Sequence, residues 1–176
     1  IATIQSLKPM TTANGCGALD AVRLEAVILP DKARIALTPP ATLRCRMAEE
    51  VAHWIREDVL AAVNELGTAL AGIDNYDSYD CRGRNRVMGA KLSEHGRANA
   101  LDLRGFVLAN KTTAGLTDPA FSRKFREELR KSACARFTTA AVRSRVRSPR
   151  RSAARSRSCM RSRSTPRART HASCRR

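Results

Sequence analysis

Two residues near the middle of the chain, His95 and Asp102, have the types and spacing of metal ligands. The run between them (GRANAL) consists mostly of small residues, which suits a tight bend, and a strand is predicted to begin near the aspartate. Such a bend can bring an imidazole and a carboxylate to one cation, and zinc accepts both ligands at about 2.0–2.2 Å. The spacing alone is a weak signal for a zinc site, because chance pairs are common, and it gains weight from the surrounding motifs. A hydrogen-bonded pair at a turn is the alternative.

These two residues belong to a longer series of motifs. Residues 93–102 read SEHGRANALD and residues 78–85 read SYDCRGRN. Three further motifs are NGCG at 14–17, PATLRC at 40–45 and ACARFTT at 133–139. In this order, over roughly residues 7 to 139, the motifs resemble the extensin-like C-terminal family. That family is placed within the D-alanyl-D-alanine carboxypeptidase and hedgehog superfamily of zinc peptidases.

The resemblance implies an α+β fold, with a small antiparallel sheet flanked by helices and a metal site on the sheet. It implies that His95 and Asp102 are zinc ligands, with Ser93 and Asn85 as supporting residues. The family's usual glycine three residues after the histidine is Ala98 in this chain. The chain therefore departs from the family at one position of the bend.

Arg82 follows a cysteine in the upstream motif. By resemblance it lies beside the metal and binds a substrate carboxylate or polarises a carbonyl. A guanidinium suits either role, because it is always charged and presents a rigid fork of donors. The alternative is an ion pair within its own loop, with Asp77 or Asp80.

The C-terminal part of the superfamily's site is missing from the sequence. A His-x-His motif, expected soon after residues 133–139, supplies a third ligand and a general base, but residues 140–143 read AAVR. Three other residues are not expected to replace the missing His-x-His motif: His53, which lies on a predicted helix, His171 and Glu94. The resemblance therefore implies weak or absent zinc and impaired catalysis, because a catalytic zinc normally has three protein ligands. The question of enzyme activity stays open.

Hydrophobic periodicity and turn signals predict the elements that position these residues. Residues 1–15 are predicted to be irregular. Strands are predicted at 22–29, 33–37, 70–73 and 101–108, with a loop from 74 to 86. A long helix is predicted from Pro39-Pro40 to Gly67, with Trp54 in the core. A shorter helix is predicted from about residue 117 to 133, with one apolar face formed by Phe121, Phe125 and Leu129.

The first 139 residues contain four dispersed cysteines, Cys16, Cys45, Cys81 and Cys134. Dispersed cysteines without a Cys-x-x-Cys pair favour two disulfides in an oxidising compartment over a zinc knot. The sequence does not choose among the three pairings, and four buried thiols in a cytosolic protein are the alternative. With the resemblance, the cysteines predict a secreted or periplasmic protein. No apolar run approaches the length of a membrane span.

Charge divides the chain into a body and a tail. The formal net charge is +17, of which residues 140–176 carry +13, from thirteen arginines and no acid. This segment is too poor in large apolar residues to offset its ordering entropy, so disorder is predicted. Its Arg-Ser pairs resemble RNA-binding segments. The segment contains no lysine, and it begins where the family's C-terminal motif is expected. Both features favour an out-of-frame reading of a GC-rich gene.

The predicted organisation is an N-terminal segment (1–15), an extensin-like domain (16–139) and a tail (140–176). The predicted function is that of an extracytoplasmic, zinc-peptidase-like domain that acts on or binds cell-wall polymer or peptide, with impaired catalysis. One alternative is a non-enzymatic module that binds an anionic wall polymer. Another is nucleic-acid binding through the tail.

Overall fold

A six-stranded sheet forms the centre of the fold. The computed structural model describes residues 1–87, 89–116 and 118–137. The sheet has the order β1-β4-β5-β6-β7-β8, and the short strands β2 and β3 pair separately. The strands are β1 (Ala2–Ser6), β2 (Met10–Thr11), β3 (Gly17–Ala18), β4 (Ala21–Ile28), β5 (Arg34–Arg44), β6 (Leu70–Asp77), β7 (Asp102–Leu108) and β8 (Thr113–Ala114).

The predicted α+β class is confirmed, and so are the β4–β5 hairpin and strand β7. The sheet is not purely antiparallel as predicted, because β5 and β6 run parallel. The N-terminal segment is not wholly irregular either. Strand β1 pairs with β4, so the first residues form one edge of the sheet.

The prediction that Pro39-Pro40 opens the long helix is wrong. Both prolines lie within β5, and the helix begins at Cys45. The pairing explains how a strand tolerates them. Partner residues in β4 face residues 34–36 and 41–44 of β5, and β6 pairs with residues 36–38. The prolines therefore lie where neither ladder requires a backbone N–H.

The helices lie beside the sheet in two groups. One continuous helical run consists of α1 (Cys45–Trp54), a π-helical turn (Ile55–Val59) and α2 (Leu60–Asn64). It ends before Gly67, as predicted, and that glycine has a φ of +71°. The last helix, α3 (Arg123–Arg136), begins later than predicted. Ser122 sets its start, because its hydroxyl accepts a hydrogen bond from the Phe125 backbone N–H at 3.1 Å.

The hydrophobic core lies between the sheet and these helices. Trp54 is 5% exposed, as its place in the apolar stripe predicts, and its ring meets Phe106 and Phe137 edge-on at 5.9 and 6.0 Å. Its indole N–H donates to the Ser132 hydroxyl at 2.8 Å, which links α1 to α3. The largest fully buried apolar side chains come from both layers: Leu24, Leu37, Leu43, Ile55, Ile73, Phe106 and Leu129.

Residues 138–176 lie outside the described residues, and with them His171 and the arginine-rich tail. The predicted disorder of residues 140–176 and the RNA-binding hypothesis therefore stay predictions. Within the described ranges, no helix is both long and apolar enough to cross a membrane.

Candidate metal centre

The candidate site lies at one end of the sheet, where β6 finishes and β7 starts. Asp77 is the last residue of β6 and pairs directly with Asp102, the first residue of β7. His95 lies in a 3-10 turn (His95–Arg97) of the loop that joins these strands. The predicted pair therefore does come together, and a second aspartate joins it.

The His95 ring is held by a backbone carbonyl. Its Nδ1 lies 2.6 Å from the carbonyl oxygen of Ser78, which can only accept a hydrogen bond. Nδ1 must therefore carry the proton and donate it. In the neutral imidazole this leaves the lone pair on Nε2, which is the tautomer that a metal-binding histidine adopts when its other nitrogen is so engaged.

The Nε2 atom of His95 faces the Asp102 carboxylate. Nε2 lies 3.5 Å from Oδ2 of Asp102, longer than a normal hydrogen bond. Two acceptors thus oppose each other, and either a second proton on the ring or a bound cation would satisfy both. Two ligand atoms on one tetrahedral zinc ion are roughly 3.4 Å apart, given zinc–ligand bonds near 2.1 Å. The observed separation fits that geometry.

Asp77 adds a third donor. One ligand atom from each of Asp77, His95 and Asp102 lies within 4.8 Å of the others. The three differ in exposure: the side chain of His95 is 11% exposed, that of Asp77 25% and that of Asp102 54%. A buried nitrogen with two more accessible carboxylates forms a cup that opens to solvent on the Asp102 side.

Arg82 lies beside this cup and is held by two carboxylates. Its Nε donates to Oδ2 of Asp80 at 2.7 Å, and its Nη2 lies 3.6 Å from Oδ2 of Asp77. Both ion pairs considered from the sequence are therefore present. They keep the guanidinium next to a candidate metal ligand.

Several backbone contacts fix the loop that carries His95. The Ser93 hydroxyl accepts from the His95 backbone N–H at 3.3 Å, and Asp80 donates its N–H to the His95 carbonyl at 3.3 Å. Ala98 ends the turn with a left-handed φ of 51°, and its carbonyl accepts from the Arg44 N–H at 2.7 Å. The segment that follows β6 and the residue that precedes α1 thus hold the turn through backbone hydrogen bonds.

A disulfide between Cys16 and Cys81 fixes the other side of the loop, directly before Arg82. By the chain-entropy estimate, a link across 65 residues stabilises the fold by about 4 kcal/mol. Cys45 and Cys134 also carry no free thiol. The described cysteines therefore agree with the disulfide prediction and not with four buried thiols.

The other residues singled out from the sequence lie elsewhere. Asn85 is exposed in the turn Arg84–Arg86 and has a φ of 54°, a conformation that asparagine tolerates. Glu94 accepts hydrogen bonds from Arg97 and Asn99. His53 pairs with Glu57 on the helix surface. Neither Glu94 nor His53 belongs to the cup.

Asp77 is the residue that the sequence interpretation missed as a ligand candidate. It was placed in a loop, as a partner for Arg82, because the preceding strand was predicted to end at residue 73. Extending that strand to Asp77 puts a carboxylate at the end of one strand and another at the start of the next. In an antiparallel pair, those two ends meet.

The fold and the site together define an α+β domain with a candidate His/Asp/Asp metal centre at one end of its sheet. The chain belongs to the family described as extensin-like protein C-terminus, which matches residues 2–142. The predicted family is therefore confirmed, and the match includes strand β1. No curated protein and no solved structure matches the chain.

Proposed function

We propose that this chain is an extracytoplasmic domain of zinc-peptidase ancestry that binds a divalent metal and acts on or binds cell-wall material. Catalysis is weak or absent. The observation that carries the proposal is the 3.5 Å separation of Nε2 of His95 and Oδ2 of Asp102, with Nδ1 of His95 engaged by the Ser78 carbonyl. The family match and the Cys16–Cys81 disulfide support it, since disulfides persist in oxidising compartments.

Each residue of the site has a role in this proposal. A bound zinc ion would polarise a carbonyl or lower the pKa of water. His95 and Asp102 hold the cation, and the Ser78 carbonyl keeps the His95 ring in the ligating tautomer. Arg82 binds a carboxylate of the substrate. Turnover is slow because the His-x-His motif that supplies the superfamily's general base is missing from the sequence after residue 139, and His53 and Glu94 are engaged by other partners.

The test is the zinc content of the chain after chelator treatment and equilibrium dialysis against Zn²⁺. We expect one ion per chain in the wild type. His95→Asn and Asp102→Asn should each weaken binding at least tenfold, because each removes a ligand. His53→Asn is the matched control, since it removes a histidine outside the site, and it should leave the stoichiometry unchanged.

A wild-type chain that binds no zinc, or a His95→Asn chain that binds it as well as the wild type, would overturn the metal assignment. Release of peptide from peptidoglycan, measured with and without zinc, gives the activity. A rate close to that of fully active zinc peptidases would contradict impaired catalysis.

A non-enzymatic module that binds an anionic wall polymer is the second candidate, and the loop between β6 and β7 favours it. Arg84 and Lys91 are exposed and linked through their backbones at 2.9 Å, and no described residue forms an ion pair with either. They extend the positive charge of Arg82 along the loop. In the zinc experiment, polymer binding that persists at full strength without metal would favour this candidate.

A further inference from the structure

We infer that Asp77 is the third ligand of this metal centre and that the metal takes it from Arg82, so that metal binding and release of the guanidinium are coupled. The inference rests on the proposed function and deepens it. It assigns to residues within 1–137 a donor that was expected only from the C-terminal segment.

The first step of the argument is the backbone position of Asp77. Its pairing with Asp102 places the two aspartates side by side on neighbouring strands, so their carboxylates approach one point without a loop rearrangement. The three donor atoms already lie within 4.8 Å of one another. A turn of the Asp77 side chain toward Nε2 of His95 would bring the three donors closer to the separations found around one zinc ion.

The second step is charge and ligand type. A neutral imidazole and two carboxylates supply one nitrogen and two oxygens with a formal charge of −2, which matches a divalent cation. A set of three protein ligands with an open position is the usual arrangement of a reactive zinc site. His95 and Asp102 alone would leave the ion with two protein ligands and one uncompensated positive charge.

The third step is that Asp80 and Asp77 contact Arg82 at different distances. Its contact with Asp80 is a hydrogen bond of 2.7 Å, whereas Asp77 lies 3.6 Å away, beyond hydrogen-bond distance. Asp77 can therefore turn toward a metal while Asp80 keeps Arg82 in place. In the absence of metal, Oδ2 of Asp77 lies 3.9 Å from Nδ1 of His95, so it must turn toward Nε2 to join the donor set.

The consequence is competition for one carboxylate. Without metal, the negative charge of Asp77 is shared with Arg82. With a cation bound, the Asp77 carboxylate would bind the cation instead of Arg82. Nη2 of Arg82 would then be available to bind an anionic group. Ligand capture by Arg82 is thereby tied to a loaded metal site.

The primary test measures Zn²⁺ affinity by calorimetry on the full chain. Asp77→Asn should weaken binding roughly 10- to 100-fold, because an amide is a poorer zinc ligand than a carboxylate. Asp74→Asn is the matched control: it removes a carboxylate from the same strand, β6, that pairs with Arg104 and lies outside the donor set, and it should change affinity less than threefold. Equal affinities for Asp77→Asn and the wild type would overturn the inference.

The coupling is tested with Arg82→Gln. Removing the competitor should raise Zn²⁺ affinity about three- to tenfold in the wild type and have little effect in the Asp77→Asn background. Arg86→Gln, which removes a charge that pairs with Asp80 and with no other described residue, controls for a general electrostatic gain. An equal gain from Arg82→Gln in both backgrounds would refute the competition.

The two proposals fail in different ways. Loss of the proposed function shows as no zinc in the wild type, or as no effect of His95→Asn. Failure of the present inference leaves zinc bound and sensitive to His95 but insensitive to Asp77. Circular dichroism of each variant separates loss of a ligand from loss of the fold, because an unfolded variant loses its ordered spectrum.

Discussion

The bend between His95 and Asp102 depends on one residue with an unusual backbone. Ala98 is fully buried, has a φ of 51°, and contacts the small cluster of Ala18 and Ala21. A left-handed conformation costs a residue with a side chain about 1–2 kcal/mol relative to the right-handed one. The bend is retained because the Ala98 carbonyl is bonded to the start of α1 and its methyl group fills the cluster.

We therefore expect Ala98→Gly to be close to neutral in stability. Glycine removes the left-handed penalty, but it gives up roughly 0.8 kcal/mol of buried methyl and about 0.5–1 kcal/mol of chain entropy. The terms nearly cancel, so the free energy of unfolding in urea should change by less than about 1 kcal/mol. Ala98→Val is the control, because a β-branched residue disfavours a positive φ, and it should be clearly destabilising. A loss above about 2 kcal/mol in the glycine variant would show that packing dominates.

The site could be predicted from sequence only where the motif is local. His95, Asp102 and Ser93 lie within ten residues and belong to one motif, so the spacing and the family resemblance together predicted a common bend. Asp77 depends on the register of two strands that are joined by a long loop, and no local pattern encodes a register. The tautomer of His95 likewise depends on a carbonyl 17 residues away.

At the scale of elements, ion pairs at both ends of α3 connect it to the preceding helical run, and the C-terminal one uses a partly buried cation. Arg136 is 15% exposed and pairs with Glu57 and Asp58, both on the π-helical turn. The hydrogen bond from Arg136 lowers the pKa of the Glu57 carboxyl, despite the opposing effect of burial. By contrast, Lys124 near the start of α3 reaches Glu65 from a side chain that is 71% exposed.

This contrast predicts that the two ion pairs differ in their contribution to stability. Arg136→Met should lower the free energy of unfolding by about 1–2 kcal/mol, since it removes charge-assisted hydrogen bonds whose acid partners are only partly solvated. Lys124→Met is the matched control on the same helix and should leave the urea midpoint unchanged, because solvent screens an exposed pair. If both variants unfold at the same urea concentration, the partly buried ion pairs of Arg136 do not stabilise the packing of α3.

The elements themselves were predictable where periodicity or turn chemistry was strong. The β4–β5 hairpin and the helix ending before Gly67 follow from such signals. The Pro39-Pro40 prediction failed for a non-local reason: proline fits the first turn of a helix and an unpaired stretch of strand equally well. The choice between them depends on where β4 and β6 pair with β5.

At the scale of the whole molecule, the candidate metal centre lies at the end of β7 that has no partner strand on its outer side among the described residues. Strand β8 pairs with β7 only at residues 106 and 107. Among the described ranges, no strand pairs with the outer edge of residues 102–105, which include the candidate ligand Asp102. An uncovered edge presents free backbone donors and acceptors and favours pairing with another chain.

This edge predicts self-association of the full chain. Light scattering should show polydisperse species whose size grows with concentration.

Reading the encoding DNA in its other two frames after the Thr139 codon should yield a segment with a His-x-His motif. Restoring that segment should make the chain monodisperse and raise its zinc affinity, because a further strand would cover the edge and add a nitrogen donor beside Asp102. A monodisperse full chain that melts cooperatively, or two frames that both lack the motif, would contradict this explanation of the arginine-rich tail.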